Sequence, residues 1–466
     1  MRALVVTLLL VTSLAAVGPA GGQQATEQPP NSCVGTIEER PASSTVVSIQ
    51  GTRITSEGAL KENALLVSFA PSGAFEWAQN STANGRWWAY DVDPLENGNL
   101  LYATTQSRHS VVGEFDPDAG EYVWVEHFDG EPDSETNPLI VDAHDADLVG
   151  DELLLVDKGQ GHERLLAYNL TTERVTWEWR FEDHPEAFPE SGGGPPHDWT
   201  HVNDVDRVSE DLYITSPRNF DKVIFVNRST DEIELTLGAD DEYDILDEQH
   251  NPDHLWGPNG EHTLLVADSI NDRAVEYAYD DESDTWERVW SVAGLDEPRD
   301  ADRLANGNTL ITDRRGHRVL EVTPEGRTVW EVYTPYEPYD TERNEPRSNG
   351  PTMREHGVTG EFEVSNDAAF TDAEIEQCAG SLFEFASSEG GGLIDDRETF
   401  SENDDIPSPA GGDSSSETGD ADGSDSDGGS DETGPESGSS LPAGPIAAAG
   451  LVALVVVLGL GYRQFR

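Results

Sequence analysis

Between Gly51 and Thr334 the chain repeats one hydrophobic pattern. A polar opening leads into an apolar run, a turn, a second alternating run, another turn, and a strand that ends in tryptophan. In the clearest copy, Arg299–Asp313 runs into Arg318–Val322, turns at Thr323-Pro324-Glu325-Gly326 and closes on Thr328-Val329-Trp330. Apolar residues at every second position make half-buried strands, and Asn306-Gly307 or Pro324-Glu325-Gly326 between such strands reads as a hairpin turn. The stretch from Asp91 through Asn97-Gly98-Asn99 to Trp124 repeats the phrase. The openings Asp91, His144, His201, His250 and Arg299 align 49 to 57 residues apart, and an earlier copy without an opening ends at Trp77. Six units of this length predict an all-β fold, a six-bladed β-propeller. Its closing tryptophans (Trp77, Trp124, Trp177 or Trp179, Trp290, Trp330) are expected to pack between blades.

The flanks follow other rules. Residues 1–22 have a basic start, an apolar stretch and small residues, the layout of a secretory signal peptide. An N-terminal segment (23–50) leads into the expected propeller with its C-terminal extension (51–400). Residues 401–441, rich in Ser, Gly, Asp and Glu, lack the apolar surface to fold and read as a disordered acidic stalk. Residues 445–462 are uncharged and long enough for a transmembrane helix. Arg463 and Arg466 beyond it put the C-terminus inside and the propeller outside, a membrane-anchored protein of the cell surface.

Charge narrows the setting. Against 92 Asp and Glu stand 28 Lys and Arg, a net charge of −64, and only Lys61, Lys158 and Lys222 are lysines. Such a surface repels itself at low ionic strength and points to a salt-adapted, halophilic organism, since at 1 M salt the screening length shrinks to about 3 Å. It also excludes nucleic acid as partner, which requires a basic footprint. Two cysteines, Cys33 and Cys378, bracket the folded region, and a disulfide between them is the natural pairing in an oxidising exterior. With no Cys-x-x-Cys, neither a thiol redox centre nor structural zinc is expected.

In a propeller the first strand of each blade lines the central channel, so equivalent openings converge on the axis. Three successive blades place His144, His201 and His250 there, and Arg218 follows in a second strand. His197 and His254 lie near the openings as second-rank candidates. Any single histidine would merely solvate a channel; three in register with an arginine suit a tetrahedral oxyanion, since Arg is a fixed fork of donors and His serves as donor, base or nucleophile. A three-histidine metal site completed by Asp145 or Asp204 is the competing chemistry, which Arg218 opposes. No metal and no cofactor are expected.

Several strings are similar to those of the bacterial and archaeal arylsulfotransferases: the His-Asp opening at His144-Asp145, Asp198-Trp199-Thr200-His201-Val202-Asn203, Ser216-Pro217-Arg218, and Gln249-His250. The family pattern at the arginine is Ser-Ser-Arg, so Pro217 is a departure. The resemblance implies a six-bladed propeller that moves a sulfuryl group from a phenolic sulfate to a phenolic acceptor without a nucleotide donor, through a sulfated histidine. It implies His250 as nucleophile, His144, His201 and Arg218 as groups on the sulfuryl oxygens, and Asn203, Arg299 and Trp199 as further substrate-binding candidates. Small aryl sulfates and phenols would be its partners. The contrasting expectation is a non-catalytic surface propeller that binds a ligand or partner over its funnel. A quinone-dependent dehydrogenase needs eight blades, more than this chain can build.

Overall fold

The computed structural model describes residues 31–389, apart from 56–57, 108, 160–161, 345–349 and 366–369. The expected signal peptide, the stalk at 401–441 and the helix at 445–462 lie outside these residues. No helix among the described residues is long and apolar enough to cross a membrane.

Six antiparallel sheets form the predicted six-bladed propeller. Blade 1 runs Arg86–Pro94, Leu100–Gln106, His109–Asp116 and Glu121–His127; blade 2 runs Ala146–Val149, Glu152–Asp157, Arg164–Asn169 and Arg174–Arg180. Blade 3 comprises Val202–Arg207, Leu212–Pro217, Lys222–Asn227 and Glu232–Gly238. Blade 4 comprises His250–Trp256, His262–Asp268, Arg273–Asp280 and Thr285–Ala293, with Gly360–Glu363 added in parallel at its edge. Blade 5 has Pro298–Arg303, Thr309–Asp313, Arg318–Val322 and Thr328–Tyr333, with Val34–Ile37 as a fifth, outer strand.

The sixth blade resolves the copy that lacked an opening. Its inner strand is Pro338–Arg343, from beyond the repeat, and it pairs with Thr45–Ile49, followed by Leu65–Phe69 and Phe75–Asn80. Both ends of the folded chain therefore close the ring, and the expected start at residue 51 falls inside this blade. The Cys33–Cys378 disulfide ties the outer strand of blade 5 to the helix Asp372–Glu389, across 345 residues of sequence.

Tryptophans join the blades as predicted. The Trp179 Nε1–H donates to Asp231 O of blade 3 at 3.0 Å, Trp290 to Pro324 O of blade 5 at 2.7 Å, and Trp330 to Pro71 O of blade 6 at 3.2 Å. Trp290 and Trp330 are fully buried. Each such ring removes enough apolar surface from water to contribute about 4–6 kcal/mol of gross burial energy, and the bonded indole N–H spares it the cost of a lost partner.

Carboxylates join the blades at the axis. Asp340 Oδ2 accepts from the Val92 N–H at 2.8 Å, Asp91 Oδ2 from Ala146 at 3.3 Å, and Asp145 Oδ2 from Val205 at 2.6 Å, each reaching from one inner strand to the next. All six inner strands supply acidic residues to this polar channel, among them Asp91, Asp145, Asp204, Asp253, Asp300 and Asp340. Burial, with Asp206 and Asp93 adding to it, pushes the Asp145 carboxyl well above the usual range.

Candidate functional site

The bonds between inner strands set the register of the openings, and it differs from the sequence alignment. Asp340, Asp91 and Asp145 each bond the residue that follows the next channel aspartate, so Asp340, Asp91, Asp145 and Asp204 are equivalent. The residues just before them are then equivalent too: Tyr339, Tyr90, His144 and Asn203. In blades 2 to 5 a residue in the left-handed region stands two positions earlier: Asp142 (φ 57°), His201 (φ 46°), Glu248 (φ 49°) and Glu297 (φ 51°). It precedes His144, Asn203, His250 and Arg299 in turn. His201 is thus not the counterpart of His144; Asn203 is, and His201 reaches in from the loop position that carries a carboxylate in the other three blades. Likewise Tyr90, not Asp91, is blade 1's counterpart.

A second repeated device holds these loops. Asp157, Asp268 and Asp313 end the second strands of blades 2, 4 and 5 and accept from the backbone N–H of Val141, Asp247 and Asp296, at 3.0, 2.7 and 2.7 Å. Each of these donors stands one residue before the left-handed position. Each aspartate also binds the arginine opposite it on the third strand: Arg164 at 2.9 Å, Arg273 at 2.7 Å, Arg318 at 2.6 Å. Blade 3 has Pro217 there, and Glu163 takes over, accepting from the N–H of Trp199 (2.9 Å) and Thr200 (2.6 Å). The residue after each second strand, Lys158, Arg218, Ser269 or Arg314, is thereby delivered beside the openings.

The predicted residues come together. His144, His201, His250, Arg218 and Arg299 are all buried, and the His144 and His201 rings meet edge to face at 5.1 Å. His250 Nδ1 lies 3.0 Å from Glu248 O and 2.9 Å from Ser269 Oγ. Donation of Nδ1–H to that carbonyl puts the ring's lone pair on Nε2, where it accepts from Arg299. One Arg299 nitrogen lies 2.8 Å from Nε2 and 2.9 Å from Nδ1. His201 Nδ1 is held by both Asp198 oxygens, at 2.8 and 2.9 Å, which leaves the ring's lone pair on Nε2, 3.4 Å from Lys158 Nζ.

The electrostatics keep these rings neutral. Burial, then Arg299 and Arg218, hold the His250 imidazolium well below its usual range; burial, Arg218 and Lys158 do so for His201. Burial and Lys158 bring His144 down to about 4, against Asp142. Burial and neighbouring Arg314 lower Arg299 to about 9, which leaves it charged at neutral pH.

Sequence reasoning missed four participants. Tyr90, Tyr339, Lys158 and Asp142 are buried among the histidines. The Tyr90 ring lies 4.2 Å from His144, and Trp88 stacks on its other side at 6.0 Å. Tyr339 meets Tyr90 at 5.1 Å, His144 at 5.7 Å and His250 at 6.1 Å. Tyr90 Oη–H donates to Asp142 Oδ1 at 2.5 Å, whereas the Tyr339 hydroxyl and His144 Nδ1 have no hydrogen-bond partner among the described residues. A buried polar atom left so costs roughly 1–3 kcal/mol, a cost a bound polar ligand removes. Aligning the aspartates rather than the histidines would have revealed Tyr90-Asp91 and Tyr339-Asp340.

The other candidates stand further back. Asn203 is buried, its Nδ2–H donating to Gln249 O at 3.0 Å, so it braces the strand of His250. Trp199 packs edge-on against Phe220 at 5.6 Å and donates to Gly192 O at 3.2 Å, on the outer side of its loop. His254 pairs with His262 at 2.9 Å, and His197 is exposed; neither joins the cluster. Among the described residues no group of three or more His, Cys, Asp or Glu is placed to hold a metal ion.

Residues 79–250 match the arylsulfotransferase (ASST) family model. The matched segment contains His144, Lys158, His201, Arg218 and His250; Arg299 and Tyr339 lie beyond it. No curated protein matches the chain. Among solved structures, a protein of unknown function from Bacteroides caccae is similar over 62% of this chain and 93% of its own, at 15% identity and a TM-score of 0.43. Virginiamycin B lyase from Staphylococcus aureus is similar over 50% of this chain and 66% of its own, at 8% identity and a TM-score of 0.32. Likenesses at this level carry no argument about activity.

Proposed function

We propose that this protein is an aryl sulfate sulfotransferase that works through a sulfo-histidine. The observation that carries the reading is His250: a buried, neutral imidazole whose Nδ1 is tied to Glu248 O, with Arg299 against the ring and Arg218 close enough to depress its protonation. In the first half-reaction Nε2 attacks the sulfur of an aryl sulfate, the N–S bond forms, and the S–O bond to the ring breaks with the phenolate as leaving group. In the second, the oxygen of an acceptor phenol attacks that sulfur and the N–S bond breaks. Its proton passes to His201 Nε2, which Asp198 orients, and from there to solvent. Arg299, moving from Nε2 to the sulfuryl group as the aryl sulfate binds, and Arg218 face the sulfuryl oxygens, where such donors stabilise charge that develops in the transition state, and His144 stands beside them. Trp88, Tyr90 and Tyr339 offer the aromatic surface that a phenyl ring packs against.

The protein as a whole is proposed to act at the cell surface of a salt-adapted organism, held there by the C-terminal segment; the disulfide suits such an oxidising site.

Incubation of the full-length protein in molar salt with 4-nitrophenyl sulfate, followed by peptide mass spectrometry, tests the chemistry. One SO3 adduct on His250, discharged when a phenol is added, is the expected result. Sulfuryl transfer by a His250→Ala variant overturns the assignment. Saturable phenol or sulfate binding without any turnover would favour a non-catalytic propeller.

A further inference from the structure

We propose that Lys158 is a positioning residue of this site: its ammonium, wedged between the carboxylates of Asp142 and Asp198, holds the partners of His144 and His201 in place and keeps both imidazoles uncharged. The step rests on the proposed function only for its catalytic consequence, not for the electrostatic one.

The fold singles out this lysine. It stands directly after the second strand of blade 2, the position that blade 3 fills with Arg218, so the two cations enter from equivalent points of neighbouring blades. Both are buried, at 5% exposure. Only three lysines occur in the chain, and this one is buried. Of the other two, Lys222 lies over the Phe188 and Phe220 rings and donates to Ala187 O at 2.7 Å, away from the histidines.

Lys158 Nζ lies 3.0 Å from Asp142 Oδ2, 3.6 Å from Asp198 Oδ1 and 3.4 Å from both ring nitrogens of His201. Asp142 in turn faces His144 Nε2 at 3.6 Å and accepts from Tyr90, while Asp198 binds His201 Nδ1. One ammonium thus links two carboxylate–histidine pairs. Burial opposes ionisation of Asp142, yet Lys158 and His144 outweigh it and hold that carboxyl well below its usual range. The groups facing His201 are Asp198, Asp142, Lys158, Arg218, His144 and His250; those facing His144 are Asp142, Lys158, Arg218, His201, His250, Tyr90 and Tyr339. With Lys158 removed, two carboxylates would face these rings with Arg218 as the remaining cation, and although burial still opposes it the rings would take up protons more readily. A protonated His201 accepts no proton from a phenol. Salt does little to mask the effect, because buried charges are poorly screened.

Ring-nitrogen NMR of the full-length protein labelled with ¹⁵N-histidine, over pH 4 to 8, tests this, with His144→Gln and His201→Gln variants to assign the signals. In Lys158→Met the ratio of protonated to neutral rings at pH 5 should rise about tenfold over the wild type for His144 and His201, and Lys158→Arg should restore the wild-type ratio. Lys158→Gln carries the same expectation should the Met variant not fold. Unchanged ring titration in a folded Met or Gln variant overturns the proposal, and so does failure of both to fold, which would make the lysine a structural ion pair. Aryl sulfate turnover is measured separately. A wild type that turns nothing over but shows the ring shift defeats the proposed function and leaves the role of Lys158 standing; the reverse result does the opposite.

Discussion

In the proposed mechanism His250 would owe its reactivity to what surrounds it more than to its residue type. An exposed histidine is half protonated near pH 6.5, and a protonated ring has no lone pair to attack with. Burial, Arg299 and Arg218 lower its proton affinity, so the ring stays neutral as pH falls through the ordinary histidine range. The acid limb of kcat/KM for aryl sulfates should accordingly lie well below pH 6.5, and a limb at or above that value would contradict this environment. The same groups have a stability consequence with a definite sign. His144, at about 4 when folded, binds fewer protons in the fold than in the unfolded chain between about pH 6.5 and 4. Its contribution is therefore complete above 6.5 and lost as pH falls to about 4. Asp268 and Asp313, raised by burial to about 6, run the other way, favouring the fold when protonated and losing that as pH rises through about 6. Thermal unfolding of His144→Gln against pH should show a shallower loss across 6.5 to 4 than the wild type. For the arginines, Arg218→Met and Arg299→Met should each lower kcat/KM by about 10²- to 10³-fold, the cost of one donor to developing charge. Equal values for variant and wild type would remove that arginine from the site.

At the level of elements, loops and strand ends do the placing. The left-handed conformations at Asp142, His201, Glu248 and Glu297 are unfavourable for these residue types, and strand-end aspartates or Glu163 hold the backbone just before them. The blade joints are held in another way, by rings. Loss of the Trp330 side chain opens a cavity between blades 5 and 6, so Trp330→Ala should lower stability by about 3–5 kcal/mol in denaturant unfolding. Cys33→Ser should cost about 2–5 kcal/mol, since the disulfide constrains a long stretch of unfolded chain. Reduction of the wild type should reproduce that loss.

Over the whole molecule two opposite charge distributions coexist. The surface and the channel are acidic, while Lys158, Arg218 and Arg299 gather behind the channel mouth with the histidines. Repulsion within a chain of net charge −64 is long-ranged and screened by salt; the buried cluster is neither. The melting temperature should therefore rise from 0.1 M to 2 M KCl by roughly 5 °C or more. A melting temperature independent of salt would mean that the acidic surface does not govern stability.

Blade number, strand order and the four residues His144, His201, His250 and Arg218 were readable from the amino acids alone, because alternation, turn residues and a fifty-residue period are local signals that need no partner to be seen. Three features were not. The sixth inner strand, Pro338–Arg343, pairs with Thr45–Ile49 across nearly the whole fold, and its contribution, Tyr339, lies beyond the repeat, where only alignment on the channel aspartates marks it. The register of the openings depends on hydrogen bonds between strands of different blades, which show that His201 enters one turn of the loop ahead of Asn203, its blade's true counterpart of His144. Lys158 looks in sequence like any strand-end lysine. Only the packing of blade 3 against blade 2 sets it against two carboxylates and an imidazole, since the contacts that define it come from residues 16 to 43 positions away.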